Sequence, residues 1–221
     1  ESNAFPGIEE LSPATRAALE LTAQQTGIVI ARRCCMPELA RGSVCGWKHR
    51  PVTASIAGTL PGLSEQQVQE TFERALGLWN SVCNAGLMWT DSIESANIHA
   101  HCRKIDGASG TLAWSYLVPC VGSTVNIRCE QRYDISERWS IDWFLEVALH
   151  ELGHALGLDH DPNKGALMYP YSSGGRILRP TSFEIKRVIP LYGEPVGPAP
   201  GVPTIVGGAL SRKQGFTVGV Q

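Results

Sequence analysis

The chain is poor in the features that mark several large classes of protein. Only 18% of its 221 residues are charged, and the formal net charge is −2. Neither a basic surface nor an acidic tail is implied, so nucleic acid is not an expected partner. No apolar run approaches the roughly 20 residues that a membrane-crossing helix needs, so no membrane span is expected. Glu1-Ser2-Asn3 lacks the basic start of a secretory leader, and the expectation is that a leader was removed. No internal repeat is evident. What is abundant is apolar sequence, 43% of the chain. That composition is globular, and the length suits one good core with a small appendage.

No two cysteines form a CxxC pair, which argues against a structural zinc cluster. Yet there are seven, at Cys34, Cys35, Cys45, Cys83, Cys102, Cys120 and Cys129. That is many for a cytosolic chain of this size and points to disulfides in an extracellular one. Connectivity does not follow from sequence. The pairing that closes local loops is Cys35–Cys45, Cys83–Cys102 and Cys120–Cys129. The odd count leaves one thiol over.

Apolar periodicity gives the outline. Ser12, Pro13 and Gly27 bracket a short N-terminal helix with a modest apolar stripe. Ser64-Glu65-Gln66-Gln67 is a capping box, with Leu63 and Val68 placed as a hydrophobic staple. Val68, Phe72, Leu76, Trp79 and Val82 then recur at helical spacing and read as core. Val52–Ile56, Leu87–Thr90, Ala96–His101, Thr111–Tyr116 and Thr124–Cys129 are strand candidates. Thr181 to Glu184 forms a second capping box, and Pro190 and Gly193 are expected to stop its helix. Residues 194–203 read as a Pro/Gly-rich linker, and residues 204–221 as a tail with no assigned role. The order implies a mixed sheet packed on helices, an α+β fold.

The chemistry concentrates in His150-Glu151-Leu152-Gly153-His154-Ala155-Leu156-Gly157-Leu158-Asp159-His160. On a helix, His150 and His154 lie one turn apart on one face and can share a metal. Gly157 can end the helix in a left-handed conformation and let the chain return with His160. Three histidine ligands leave a fourth tetrahedral position for water, the mark of a catalytic zinc. Glu151 sits where it can reach that water without binding the metal. Ser140 is an N-cap, and Leu145, Leu149, Leu152 and Leu156 form a stripe that would bury the helix.

With Ala166-Leu167-Met168-Tyr169-Pro170 downstream, this motif resembles that of the matrixins, metalloproteinases of the metzincin clan. The likeness extends through Phe72 to Asn80, Ser95 to Ile98, Asp106 to Ala113 and Leu191-Tyr192-Gly193. The resemblance implies a metzincin-type catalytic domain over residues 42–193, with a mixed twisted sheet of about five strands and three main helices. It implies a zinc endopeptidase with Glu151 as general base, protein or peptide substrates, and a monomer. Met168 would be the Met-turn residue beneath the zinc. Leu112 and Ala113 would lie on the edge strand that pairs with substrate, and Pro170 and Tyr171 would wall the pocket after the scissile bond. Arg33-Cys34-Cys35-Met36-Pro37-Glu38 resembles the family's cysteine switch. Residues 1–41 would then be a prosegment acting as an intramolecular inhibitor. Cys34 would occupy the fourth zinc position of a latent zymogen, supported by an Arg33–Glu38 pair. Three departures stand out. Cys35 replaces the switch glycine. Asp161 follows the third histidine, as in adamalysins, which keeps an adamalysin-like protease as an alternative. Trp114 replaces a histidine of the structural-zinc loop, so a second zinc is not expected, and His99 and His101 read as surface histidines. Asp106, Glu130 and Asp134 offer oxygens for calcium without diagnostic spacing. An alternative of another class is a non-catalytic protein-binding module on the same fold. Glu151 argues against it, since binding alone needs no general base.

Overall fold

A computed structural model describes residues 46–116 and 128–197. The expected prosegment with Arg33, Cys34 and Glu38, the cysteines Cys35, Cys45 and Cys120, and the 204–221 tail lie outside the described residues.

Ser64 caps α1 (Glu65–Asn80): its hydroxyl accepts from Gln67 N at 3.1 Å, and the Gln67 amide oxygen returns the bond to Ser64 N at 2.9 Å. The stripe on this helix is core as expected, with Val68, Phe72, Leu76 and Trp79 buried. Each such side chain contributes about 1.5–3 kcal/mol by leaving water. Asn80 ends the helix by clasping both backbone groups of Leu87, which fixes where β2 begins.

Five strands form one sheet in the order β2-β1-β3-β5-β4. They are β1 (Val52–Ala57), β2 (Leu87–Trp89), β3 (Ile98–Cys102), β4 (Ala113–Ser115) and β5 (Cys129–Tyr133). All pairings are parallel except β4 with β5, so β4 is an antiparallel edge strand. Of the strand expected over Thr124–Cys129, residues 124–127 lie outside the described residues, and β5 runs from Cys129 to Tyr133. Its burial alternates through Cys129, Gln131 and Tyr133, and the buried glutamine disguised it as polar loop.

The second helix, α2 (Ile141–Ala155), starts at the N-cap Ser140 and is buried from Phe144 to Ala155. It packs against α1 and β4. Its carbonyls are gripped from several sides. Trp79 Nε1 donates to Leu149 O (3.0 Å), Gln131 Nε2 to Glu151 O (2.8 Å), Trp47 Nε1 to Ala155 O (2.7 Å) and Tyr192 Oη to Leu156 O (3.0 Å). At Leu149 and Glu151 the second carbonyl lone pair takes the added donor beside the helical bond, whereas Ala155 O and the C-cap Leu156 O lie past the last helical bonds and gain a partner there.

The last helix, α3 (Ser182–Tyr192), opens with the Thr181/Glu184 capping box. Pro190 does not stop it, as expected from sequence, but lies inside its last turn. There proline costs one backbone bond while its fixed φ remains helical. Gly193, at φ +82°, ends it.

The expected Cys83–Cys102 disulfide is not what the fold contains. Cys83 and Cys102 are free thiols. Cys83 follows α1 near Arg50, before β1, whereas Cys102 ends β3 beside Gly58, after β1. The length of β1 separates them, and a disulfide tolerates no more than about 7 Å between Cα atoms. Cys129 is also a free thiol, and its expected partner Cys120, like the expected Cys35–Cys45 pair, lies outside the described residues. Burial pushes the Cys129 thiol up to about 12, which makes it unreactive.

Candidate metal and catalytic centre

One group of three potential metal ligands occurs among the described residues: His150, His154 and His160, with ring nitrogens all within 4.8 Å of one another. Gly157, at φ +89°, turns the chain at the end of α2, and Leu158 N closes the turn on Gly153 O at 2.9 Å. This reversal brings His160 against the rings of His150 (5.4 Å between centroids) and His154 (4.9 Å).

The tautomers follow from the hydrogen bonds. His150 Nδ1 lies 2.8 Å from Leu167 O, and His154 Nδ1 lies 2.7 Å from Leu158 O. Carbonyls only accept, so each Nδ1 carries the proton and each Nε2 presents a lone pair. The two Nε2 atoms face each other at 3.1 Å. Two lone pairs at that distance repel unless a cation lies between them. Tetrahedral zinc at about 2.0–2.1 Å holds its nitrogens about 3.3 Å apart, so the donor set fits that ion. Burial keeps both imidazoles neutral, with His150 depressed to about 3 and His154 well below its usual value. Neutral imidazole is the form that binds metal.

Glu151 is fully buried in the same turn of α2. The Gln131 amide that holds its carbonyl also donates to Ser115 Oγ (3.2 Å) on β4 and accepts from Tyr133 Oη (3.0 Å). The helix turn and the edge strand are thereby tied together. Sequence reading missed Gln131, whose only signal is its place at an inward position of an alternating strand.

Met168 is buried, and the backbone before it is pinned by the His150–Leu167 bond. A Cβ built on Gly153 would collide with Met168 Sδ and lie 3.2 Å from both Met168 Cε and Trp79 Cζ2. Gly153, between the two helical histidines, therefore lets the methionine pack directly beneath them. Gly153→Ala should destabilise the domain by about 1–3 kcal/mol through overpacking, even though alanine favours helix. Urea unfolding checks this, and a midpoint equal to wild type would remove the contact from the account.

The remaining calls fall as follows. Leu112 and Ala113 are fully buried at the start of β4, so they offer backbone rather than side chain to anything pairing with that edge. Pro170 and Tyr171 are half-buried on the segment after Met168. Trp114 lies under the Arg132 guanidinium, 5.0 Å from ring centroid to Cζ, and faces it across the β4–β5 pair. Arg132 also bonds Glu130 at 2.8 Å, which draws Glu130 away from the calcium candidates. Asp106 and Asp134 do meet, and Glu137, which sequence reading missed, joins them. Asp134 Oδ2 accepts from the Asp106 and Gly107 amides at 3.4 and 3.3 Å. Glu137 Oε1 accepts from Ser109 N at 2.5 Å. Asp161 closes the loop after the triad, its amide donating to Met168 O at 2.9 Å and its carboxylate meeting Arg187 at 3.6 Å.

Comparison with known proteins gives the same answer over most of the chain. The matrixin family profile matches residues 46–193. The interstitial collagenase of Oryctolagus cuniculus is 31% identical over 189 residues, covering 75% of this chain and 39% of the collagenase. The hatching enzyme of Paracentrotus lividus is 28% identical over 170 residues, covering 70% of this chain and 28% of the enzyme. Human matrix metalloproteinase-20 is 30% identical over 153 residues, covering 62% of this chain and 31% of that protein. The chain thus spans less than half the length of these relatives. A profile that runs from Gly46 through the histidine triad to Gly193 decides between the two protease alternatives, and the chain belongs to the matrixin family.

Proposed function

We propose that this chain is a secreted zinc-dependent endopeptidase, made as a latent zymogen. The observation that carries the reading is the pair of histidine lone pairs facing each other at 3.1 Å, with His160 beside them and Glu151 in the same helical turn. His150, His154 and His160 would hold the metal through ring nitrogens. Zinc bound there supplies a Lewis acid that polarises the scissile carbonyl and makes water a competent nucleophile near neutral pH. Glu151 accepts the proton of the attacking water and passes it to the leaving amine. The edge of β4 away from β5 receives an extended substrate by backbone pairing, with Leu112 and Ala113 supplying main-chain groups. Pro170 and Tyr171 wall the pocket beyond the scissile bond. Calcium would suit the loop at Asp106, Asp134 and Glu137, a site for rigidity rather than chemistry.

Latency rests on the sequence Arg33-Cys34-Cys35-Met36-Pro37-Glu38. A thiolate from Cys34 in the fourth zinc position would exclude the attacking water. The Cys34→Ser chain should therefore hydrolyse casein without activation, at least tenfold faster than the unmodified chain. Removing about the first 40 residues should give the same gain. Equal latency in the serine variant would reject the switch. No hydrolysis by either form would favour the rival reading, a binding module on a protease fold.

A further inference from the structure

We propose that Glu146 is a positioning residue that sets the substrate-pocket wall, and thereby selects the side chain accepted after the scissile bond. The selectivity half rests on the peptidase reading above. The geometry stands independently.

Glu146 is an isolated acid in the apolar run Phe144-Leu145-Glu146-Val147-Ala148-Leu149, and it is buried. No salt-bridge partner appears for it among the described residues. Instead it is ringed by donors from a single loop. Oε1 accepts from Ser172 Oγ at 2.7 Å and from Ser173 N at 2.6 Å. Oε2 accepts from Ser173 Oγ and from the amides of Gly175 (2.9 Å), Arg176 (2.8 Å) and Ile177 (3.2 Å). Successive amides converging on one carboxylate form an anion nest. Gly174 and Gly175, at φ +78° and +87°, supply the left-handed turns it needs. The loop is also pressed onto α2: a Cβ on Gly175 would lie 2.8 Å from Trp143 N, and Trp143 Nε1 donates to Ser172 Oγ at 2.9 Å.

This clamp matters because of what lies between its ends. Leu167 is tied to His150, and Ser172 is tied to Glu146, four residues earlier on the same helix. The segment 168–171 therefore runs back along α2, anchored one helical turn apart, about 6 Å. Met168 fills the inside, and Tyr169, Pro170 and Tyr171 span the gap. Their position relative to the triad is set at both ends: Leu167 and Met168 are held by His150, Asp161 and Glu184, and Ser172 is held by Glu146 and Trp143. Glu146 also carries residues 173–177, so loosening it moves the wall from its far end without touching the histidines or Glu151.

Glu146→Gln is the direct test, since it keeps the shape but turns one acceptor into an amide facing N–H groups. The full chain carrying Cys34→Ser is measured in two ways. Amide hydrogen exchange at residues 173–177 should rise at least tenfold, while residues 148–155 keep their protection. Over peptides that vary only the residue after the scissile bond, the preference between large and small side chains should change at least tenfold. The change should fall mainly on KM rather than kcat. Ser173→Ala, which removes one donor and spares the carboxylate, should move both readouts in the same direction by less, and it stands in if the glutamine variant fails to fold. Unchanged exchange in these variants overturns the tether. Changed exchange with unchanged preference overturns the selectivity. A parent chain that cleaves no peptide, even after removal of about its first 40 residues, rejects the peptidase reading and the selectivity with it, while the exchange measurement still decides the tether.

Discussion

Replacing Glu151 with alanine should leave one zinc per chain and slow peptide hydrolysis by about 10²–10⁴-fold. The two halves of this expectation have separate causes. Of the three proposed ligands, His150 and His154 are oriented by Leu167 O and Leu158 O rather than by Glu151, and His160 comes from beyond the helix. The helix turn is held through its backbone, where Gln131 donates to Glu151 O. Removing the side chain therefore takes away the proton acceptor while the metal-binding face stays in place. At about 1.4 kcal/mol per tenfold, the loss corresponds to about 3–5 kcal/mol of transition-state stabilisation. Glu151→Gln should behave alike, since an amide of the same shape cannot accept the proton, and it controls for a cavity. The measurement is casein or peptide turnover by the Cys34→Ser chain with and without the second substitution, alongside metal content. Undiminished cleavage by either variant would remove Glu151 from the mechanism.

The histidine triad was legible because its spacing encodes geometry directly. A helix puts residues four apart on one face, and a glycine permits the reversal that brings in a third. The capping boxes at Ser64 and Thr181 and the stripe of α1 were legible for the same reason, being local rules with short reach. What could not be read were interactions whose partners lie far apart in the chain. Gln131 meets Glu151 across 20 residues, and Glu146 meets Ile177 across 31. Nothing in the local sequence of β5 distinguishes a buried amide from a loop residue. Glu146 did carry a signal, an acid inside an apolar helical run, but not the identity of its donors. The Cys83–Cys102 expectation failed on topology. Cys83 and Cys102 are near in sequence, yet the crossover from α1 into a parallel sheet carries them to opposite ends of β1.

His154→Ala should abolish both zinc retention and hydrolysis, and it should erase the stabilising effect of the metal. Two histidines cannot supply the three-ligand open site that holds catalytic zinc. Loss of an outer-shell partner alone costs about 10–100-fold in metal affinity, so loss of a ligand must cost more. The structural consequence can be separated from the chemical one. In the parent chain, zinc bound to the folded state adds about 4 kcal/mol when present at about a thousand times its dissociation constant. A chelator should therefore lower the parent's melting temperature and leave that of His154→Ala unchanged. His154 is nearly fully buried, so the variant loses packing whether or not metal is present. The decisive quantity is accordingly the difference with and without chelator, not the melting temperature itself. If that difference survives in the variant, zinc is held elsewhere and His154 is a core histidine. If it vanishes together with activity, the imidazole whose Nδ1 is fixed by Leu158 O holds the metal through its other nitrogen. The turn at Gly157 then carries a second duty, since the carbonyl that orients His154 lies one residue beyond it on the path to His160.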